Sequence, residues 1–258
     1  MKRISFIGSG NVSTHLAIAL SKVGYTIHQI YSPTYKHALS LATKVGAQVV
    51  NSCEELDEDI DICIVSVPDH SIENVVELIQ GKNFLCVHTS GSVSMDVFKN
   101  RILKYGVFYP LQTFSKAREM DLYNVPVCIE SNTSEDKLML QEMAQAIHTK
   151  VYQLDSEQRK EIHLAAVFAC NFTNHMFSIA HRLLDSKDIP FEIIKPLIQE
   201  TADKIRDHRP VDVQTGPAIR NDIQTIHKHM NILNQNNPDL SLLYKLLSDS
   251  IINFNKEK

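Results

Sequence analysis

Ile4-Ser5-Phe6-Ile7-Gly8-Ser9-Gly10-Asn11-Val12-Ser13 is the stretch on which the reading of this chain turns. An apolar run, expected as a strand over 2–7, enters two glycines and then a segment where Val12, Leu16, Ala19, Leu20 and Val23 recur at helical spacing. A strand that turns on glycine into a helix gathers backbone N–H groups and the positive end of the helix dipole at one point, which suits a phosphate. Gly8 and Gly10 fill the first two glycine positions of the dinucleotide fingerprint G-x-G-x-x-G. Ser13 takes the third, and its small side chain still lets helix and strand lie close. The junction therefore points to a dinucleotide, with Gly8, Ser9, Gly10, Asn11 and Val12 around the pyrophosphate. The alternative is an ordinary tight turn between a strand and a helix.

The residues up to 155 continue this alternation. Strand-like runs fall at 2–7, 25–31, 48–50, 61–67, 84–88, 106–109, 125–130 and 151–154, with further helix candidates at 34–45, 70–79, 95–104 and 134–148. Such alternation predicts a mainly parallel sheet covered on both faces. Ser134 is the expected N-cap of its helix. Beyond Asp155 no β-rich run returns, and helical periodicity predicts helices at 156–186, 191–206 (bent by Pro196), 217–233 and 240–254. The fold class is α/β: a Rossmann-type, mainly parallel sheet over 1–155, followed by an all-α domain over 156–258. The helix at 156–186 would run about 45 Å, long enough to be the spine of the second domain and a dimer contact.

Composition narrows the class. The chain has 258 residues, 43% of them hydrophobic, enough for a substantial core and two domains. A net charge of -4 and a pI near 6.3 give no basic footprint for nucleic acid. The five cysteines are scattered without C-x-x-C, and several sit in apolar runs as small core residues, as expected of a reduced, cytoplasmic protein. No apolar stretch is long enough to span a membrane, and the first strand begins too early to leave room for a signal peptide. His227 and His229 lack the spacing of a metal site, so no metal is expected.

The nucleotide preference is read from Tyr31-Ser32-Pro33-Thr34-Tyr35-Lys36, at the end of the second strand. No carboxylate is present there to hold a ribose 2′-hydroxyl, whereas Ser32, Thr34 and Lys36 suit a 2′-phosphate, so NADP is favoured over NAD. The alternative is a plain turn with Lys36 in solvent. Ligands of open parallel sheets gather at the carboxyl ends of strands. Val67 and Pro68 at one end, and His88 and Ser90 beside Thr89 at the next, are therefore further cofactor-binding candidates. Asp69 as a helix cap, and Thr89 to Gly91 as a turn, are the simpler readings of these stretches.

If a nicotinamide nucleotide is bound, the protein must also supply a proton donor. His163, near the start of the first helix after Asp155, is the first candidate because imidazole titrates near neutral pH. Asn171, about 12 Å further along the helix axis, could orient a substrate; both residues could instead be structural. Gln112 and Thr113 follow the 106–109 strand as substrate-binding candidates. In Thr215-Gly216-Pro217-Ala218-Ile219-Arg220-Asn221-Asp222, Pro217 suits a first helical turn, with Ile219, Ile223, Ile226, Met230 and Leu233 as the buried stripe. Arg220 then points elsewhere, either to bind a substrate carboxylate or phosphate or to pair with Asp222 or an acid across a dimer interface.

Taken together, Gly8-Ser9-Gly10-Asn11-Val12, Val67-Pro68-Asp69, His88-Thr89-Ser90-Gly91, Tyr109-Pro110-Leu111-Gln112-Thr113-Phe114, His163-Leu164-Ala165-Ala166 and Thr215 to Arg220 carry a resemblance. They resemble a bacterial family with a Rossmann-like N-terminal domain and an uncharacterised helical C-terminal domain, whose members are labelled NADP oxidoreductases. More distantly the layout is similar to pyrroline-5-carboxylate reductase, the 6-phosphogluconate dehydrogenase group and deazaflavin-dependent NADP reductases. The resemblance implies hydride transfer between NADP and a small carbonyl, imine or deazaflavin substrate in an interdomain cleft. It further implies a homodimer joined through the helical domain. The alternative is a non-catalytic dinucleotide-binding sensor or regulatory protein. Two positions depart from the family pattern: Pro33 stands where relatives commonly have arginine, and Tyr109 where they often have histidine.

Overall fold

The computed structural model of the protein describes residues 2–115 and 120–256. Its strands β1 (Arg3–Ile7), β2 (Thr26–Tyr31), β3 (Gln48–Val50), β4 (Ile62–Val65), β5 (Leu85–His88), β6 (Tyr105–Pro110), β7 (Pro126–Ser131) and β8 (Lys150–Gln153) form one sheet. The order is β3-β2-β1-β4-β5-β6-β7-β8. Neighbours pair in parallel except β6 and β7, which are antiparallel. The central strands β1, β4 and β5 are almost wholly buried because both faces of the sheet are covered there, whereas the edge strands β3 and β8 are largely open. Ile4, Phe6, Ile62, Ile64 and Val87 enter one core, whereas the alternating Ile7, Cys63, Val65 and Cys86 enter the other.

Helices α1 (Asn11–Lys22), α2 (Tyr35–Val45) and α4 (Ser134–Ala146) cover the first face through side chains such as Leu16, Leu20, Leu41, Leu140 and Met143. Helix α3 (Asp69–Leu78) covers the second with Ile72, Val75 and Val76. The strand order reverses between β1 and β4, since β2 and β3 lie to one side of β1 and β4 to β8 on the other. That reversal opens a crevice at the carboxyl ends of β1 and β4.

Several local expectations change. The stretch 95–104 holds only a single 3-10 turn, Met95–Phe98, because Phe98 is pulled under the sheet and the chain returns at once to β6. The cap of α4 is Thr133, not Ser134: its hydroxyl accepts from the Asp136 N–H. Pro196 does not bend a helix but lies in the first turn of α7 (Lys195–Lys204), where its missing N–H costs nothing. Helix α8 (Ile223–Asn236) begins after 217–221, capped by Asp222, so Ile219 lies outside it. Ile226 and Leu233 are buried on α8, but Ile223 is exposed. The helical path after Asp155 is α5 (Ser156–Ala166), a wide π turn (Val167–Phe172) and α6 (Thr173–Asp185).

The chain forms two compact units, Met1–His175 and Met176–Lys258, and the division falls inside α6. Helix α5 belongs to the first because Arg159, fully buried, ties it to β7 through Glu130 at 2.5 Å. In the second unit α8 packs on α9 (Pro238–Lys256), and His229 Nδ1 meets the Tyr244 hydroxyl at 2.9 Å. Few of its apolar side chains are enclosed: Leu197 is 66% exposed, Leu246 58% and Phe254 67%. Among the described residues no helix is long and apolar enough to cross a membrane.

Candidate active site

The strand ends of the first unit stand side by side. The Gly8 N–H donates to Tyr31 O at 2.8 Å, the Ser66 N–H to Ile7 O at 2.8 Å and the Thr89 N–H to Val65 O at 3.2 Å, so the loops after β1, β4 and β5 leave the sheet in step. Gly8 adopts φ +106°, and a side chain there would place its Cβ 2.1 Å from Ser66 O. Only glycine lets the β1 turn lie against the β4 loop. Gly10 is different: it is exposed, precedes α1 in extended backbone, and a Cβ built on it meets nothing within 4 Å. Among the described residues no side-chain hydrogen bond caps α1 at Gly10, so the backbone N–H groups of its first turn lie at the positive end of the helix without a capping side chain. A pyrophosphate fits this cradle.

Ser13 is fully buried and its hydroxyl has no hydrogen-bond partner among the described residues, so it acts here as the small residue that lets α1 approach the sheet. Val12 is half-buried beside the core, and Ser9 is buried. The side chain of Asn11 donates to Phe114 O at 3.0 Å, while His15 Nε2 meets Ser115 O at 3.0 Å. These two bonds draw the loop after β6, with exposed Gln112 and Thr113, alongside the start of α1. Gln112 accepts from the Thr113 N–H at 2.8 Å. Nothing in sequence spacing reveals a strap between residues so distant.

At the end of β2, Ser32 is half-buried and Thr34 and Lys36 are exposed. Thr34 is the N-cap of α2, yet its hydroxyl makes no capping bond. Val67 is half-buried, with its Cγ1 3.2 Å from where a Cβ on Gly8 would stand, and Pro68 is exposed next in the chain. His88 lies elsewhere. It is fully buried, stacked on Phe98 with ring centroids 5.6 Å apart, and its Nδ1 accepts from the Ser90 N–H at 3.2 Å. Burial first, and the Arg159 charge second, hold its pKa down to about 3. His88 therefore shapes the β5 loop from inside as a neutral ring. Ser90, also buried, accepts from the Ser92 and Val93 N–H groups at 3.1 Å each. The Ser92 hydroxyl in turn donates to Asp69.

His163 stands where this loop meets α5. The Arg159 guanidinium donates to Glu130 and to Val93 O, each at 2.5 Å, locking the first turn of α5 to β7 and to the β5 loop. Ser156 adds a hydroxyl bond to Glu130 at 2.8 Å and accepts from the Met95 N–H at 3.0 Å. One turn beyond Arg159, on the same helix face, His163 Nδ1 lies 3.0 Å from the Tyr109 hydroxyl. Burial, with smaller effects from Cys128 and Asp69, pushes Tyr109 up to about 12, so its phenol stays protonated. Gly91 makes the meeting possible: a Cβ there would fall 2.6 Å from His163 Nδ1 and 2.8 Å from Tyr109 Cζ.

Asn171 is exposed on the π turn, and no hydrogen bond joins it to His163. Arg220 is exposed in the second unit, where its charge helps Thr225 keep the Asp222 carboxyl below the usual carboxylate range. Tyr109, Gly91, Arg159 and Glu130 were not visible as site residues, because their partners lie 18 to 72 positions away in sequence. One further cluster, His28, Asp57 and Asp59, brings three possible metal ligands within 4.8 Å of one another. Arg3 donates to both Asp59 and His28, so a fixed cation already occupies this corner.

Known families match both parts of the chain. Residues 3–87 match a family described as NADP oxidoreductase coenzyme F420-dependent, and residues 125–251 match a domain of unknown function. A solved structure from Bacteroides fragilis, named as a putative NADP oxidoreductase, is 43% identical over 98% of each chain, with a TM-score of 0.93. The chain belongs to this NADP oxidoreductase family. The fold is shared, at low identity, with solved reductases and a reductive aminase. A 1-pyrroline-5-carboxylate reductase from Streptococcus pyogenes is 12% identical, with 99% and 98% of the two chains covered and a TM-score of 0.64. A reductive aminase from Aspergillus terreus, solved with NADPH and ethyl-5-oxohexanoate, is 13% identical, with 98% and 94% covered and a TM-score of 0.72. A comparison with curated proteins returns no match. The NADP oxidoreductase family and its reductase-like fold thus agree with the resemblance carried by the sequence motifs.

Proposed function

We propose that the protein is an NADP-dependent oxidoreductase that exchanges a hydride with a small carbonyl, imine or deazaflavin substrate. The observation that carries this reading is the cradle at the β1/β4 reversal, where Gly8 closes on Ser66 O while Gly10 leaves the N-terminus of α1 open. The backbone of residues 8–12 would hold the pyrophosphate. Ser32, Thr34 and Lys36 would meet the 2′-phosphate, since 31–36 contains no carboxylate and the Thr34 hydroxyl is not engaged as a cap. Val67 and Pro68 would wall the ribose and nicotinamide, with Ser90 holding the adjoining loop. The bound nicotinamide supplies the hydride chemistry.

His163 would hold the proton needed at the substrate oxygen or nitrogen, with Gln112, Thr113 and Asn171 as polar contacts around it. The poorly enclosed apolar side chains of the second unit support a homodimer formed through that unit, because a monomer would leave Leu197, Leu246 and Phe254 in water. The cysteines, all free thiols, support a reducing, cytoplasmic setting.

Calorimetric titration with NADP, NADPH, NAD and NADH tests the reading. NADP and NADPH are expected to bind more tightly. A preference for NAD would overturn the role given to Ser32, Thr34 and Lys36, and the absence of heat with all four would overturn the whole proposal. With nucleotide bound, His163→Ala should keep affinity and lose turnover across a panel of small ketones and imines. Binding without turnover in the unmodified protein would favour the sensor.

A further inference from the structure

We infer that Tyr109 is a positioning residue whose hydroxyl donates to His163 Nδ1 and keeps the imidazole proton on Nε2, the nitrogen turned away from the phenol. This rests on the reading of His163 as the proton-holding group. The two rings meet edge to face, with centroids 6.0 Å apart and planes at 74°, and Nδ1 is the only imidazole nitrogen near the hydroxyl. A phenol is a better donor than acceptor and an imidazole nitrogen a good acceptor, so the shared proton sits on oxygen. Partial desolvation reinforces that direction, since it raises the Tyr109 pKa and the half-buried phenol rests neutral. His163 Nε2 has no hydrogen-bond partner among the described residues.

The surrounding structure maintains the pair from both sides. Arg159 fixes the first turn of α5 and so the origin of the His163 side chain. Gly91, buried, supplies the gap in which the rings touch. With Nδ1 filled, only Nε2–H can be offered to a substrate, in the way that other catalytic histidines have their tautomer set by the bond at the opposite nitrogen. In the reducing direction, the hydride lost by NADPH, which is oxidised to NADP, would go to the substrate carbon; the C=O or C=N electron pair moves onto oxygen or nitrogen and takes the Nε2 proton, breaking that N–H bond. The Tyr109 proton passes to Nδ1, leaving a neutral imidazole and a phenolate that regains its proton from water. An alkoxide or deprotonated amine is a far stronger base than phenolate, so the transfer runs downhill.

The test is the tautomer of His163, read from nitrogen-15 shifts of the full chain labelled in histidine, with His163→Gln to assign the signals. At a pH where the ring is neutral, the unmodified protein should show Nδ1 bare and Nε2 protonated. Tyr109→Phe should remove that bias and move the two nitrogen shifts toward each other. Gly91→Ala should cause the same change by driving the rings apart, and it replaces the first variant if that one does not fold. A proton found on Nδ1, or shifts unmoved in a folded variant, would overturn the inference. Where a ketone or imine is turned over with NADPH, Tyr109→Phe should lower turnover on the order of 10- to 100-fold at unchanged nucleotide affinity. Failure of the unmodified protein to bind any nicotinamide nucleotide would sink the cofactor reading while leaving the tautomer result intact.

Discussion

Replacing Gly10 by alanine separates what the β1 turn does for binding from what it does for folding. Gly10 has φ -73° and ψ -164°, which any residue adopts, and its added Cβ would meet nothing within 4 Å. Alanine at a compatible position gains about 0.4–1 kcal/mol by restricting the unfolded chain, partly offset because alanine is a poor helix cap. Stability should therefore stay within about 1 kcal/mol, or roughly 2–4 °C in Tm. The methyl nevertheless enters the space assigned to the pyrophosphate. Affinity for NADPH should fall on the order of 10- to 100-fold, equivalent to about 1.4–2.8 kcal/mol.

Gly8→Ala is the counterpart. Its φ of +106° and the 2.1 Å approach to Ser66 O add backbone strain to direct overlap. The strain costs about 1–2 kcal/mol and the overlap about 1–3 kcal/mol, so Tm should drop by roughly 4–20 °C. Thermal unfolding and calorimetry with NADPH on both variants decide the matter. Unchanged NADPH affinity in Gly10→Ala would refute the cradle, and a Gly8→Ala protein as stable as Gly10→Ala would refute the packing argument.

Two further outcomes follow from the buried polar groups. Arg159→Met removes the cation from a pair whose arginine is wholly buried and whose Glu130 side chain is 16% exposed. It should cost about 3–5 kcal/mol in denaturant unfolding, and adding Glu130→Gln should recover part of that loss; a change under about 1 kcal/mol would show the pair to be dispensable. His88 binds its proton near pH 3 in the folded state and near 6.5 when unfolded. The unfolded chain therefore holds more protons between those values, and stability is complete above about pH 6.5 and falls on acidification by up to about 1.4 kcal/mol per pH unit. His88→Asn, which keeps an acceptor for the Ser90 N–H, should flatten this slope; equal slopes in the two proteins would contradict the buried neutral ring.

Local chemistry made the first unit readable. Strands such as Ile62–Val65 are short apolar runs bounded by polar turns, and the glycines at 8 and 10 mark a strand-to-helix junction whose conformation depends on the absence of a side chain. The second unit was less legible: the starts of α7 and α8 depend on Pro196 and Asp222, and periodicity alone ran each helix back past its cap. At the site, the cradle was apparent because its parts are contiguous. His88 read as a rim residue because strand-end position says nothing about which way a ring turns. It points inward onto Phe98.

Backbone-level features, then, were determined by the sequence alone: the α/β alternation, the glycine turn, and the want of a carboxylate in 31–36. Tertiary structure alone decided that Arg159 is buried against Glu130, that Gly91 admits Tyr109 to His163, and that Asn11 ties down the loop at Phe114. The reason is physical: propensity and periodicity act over a few neighbouring residues, whereas these contacts join side chains whose desolvation, overlap and hydrogen bonding exist only once distant strands have been brought side by side.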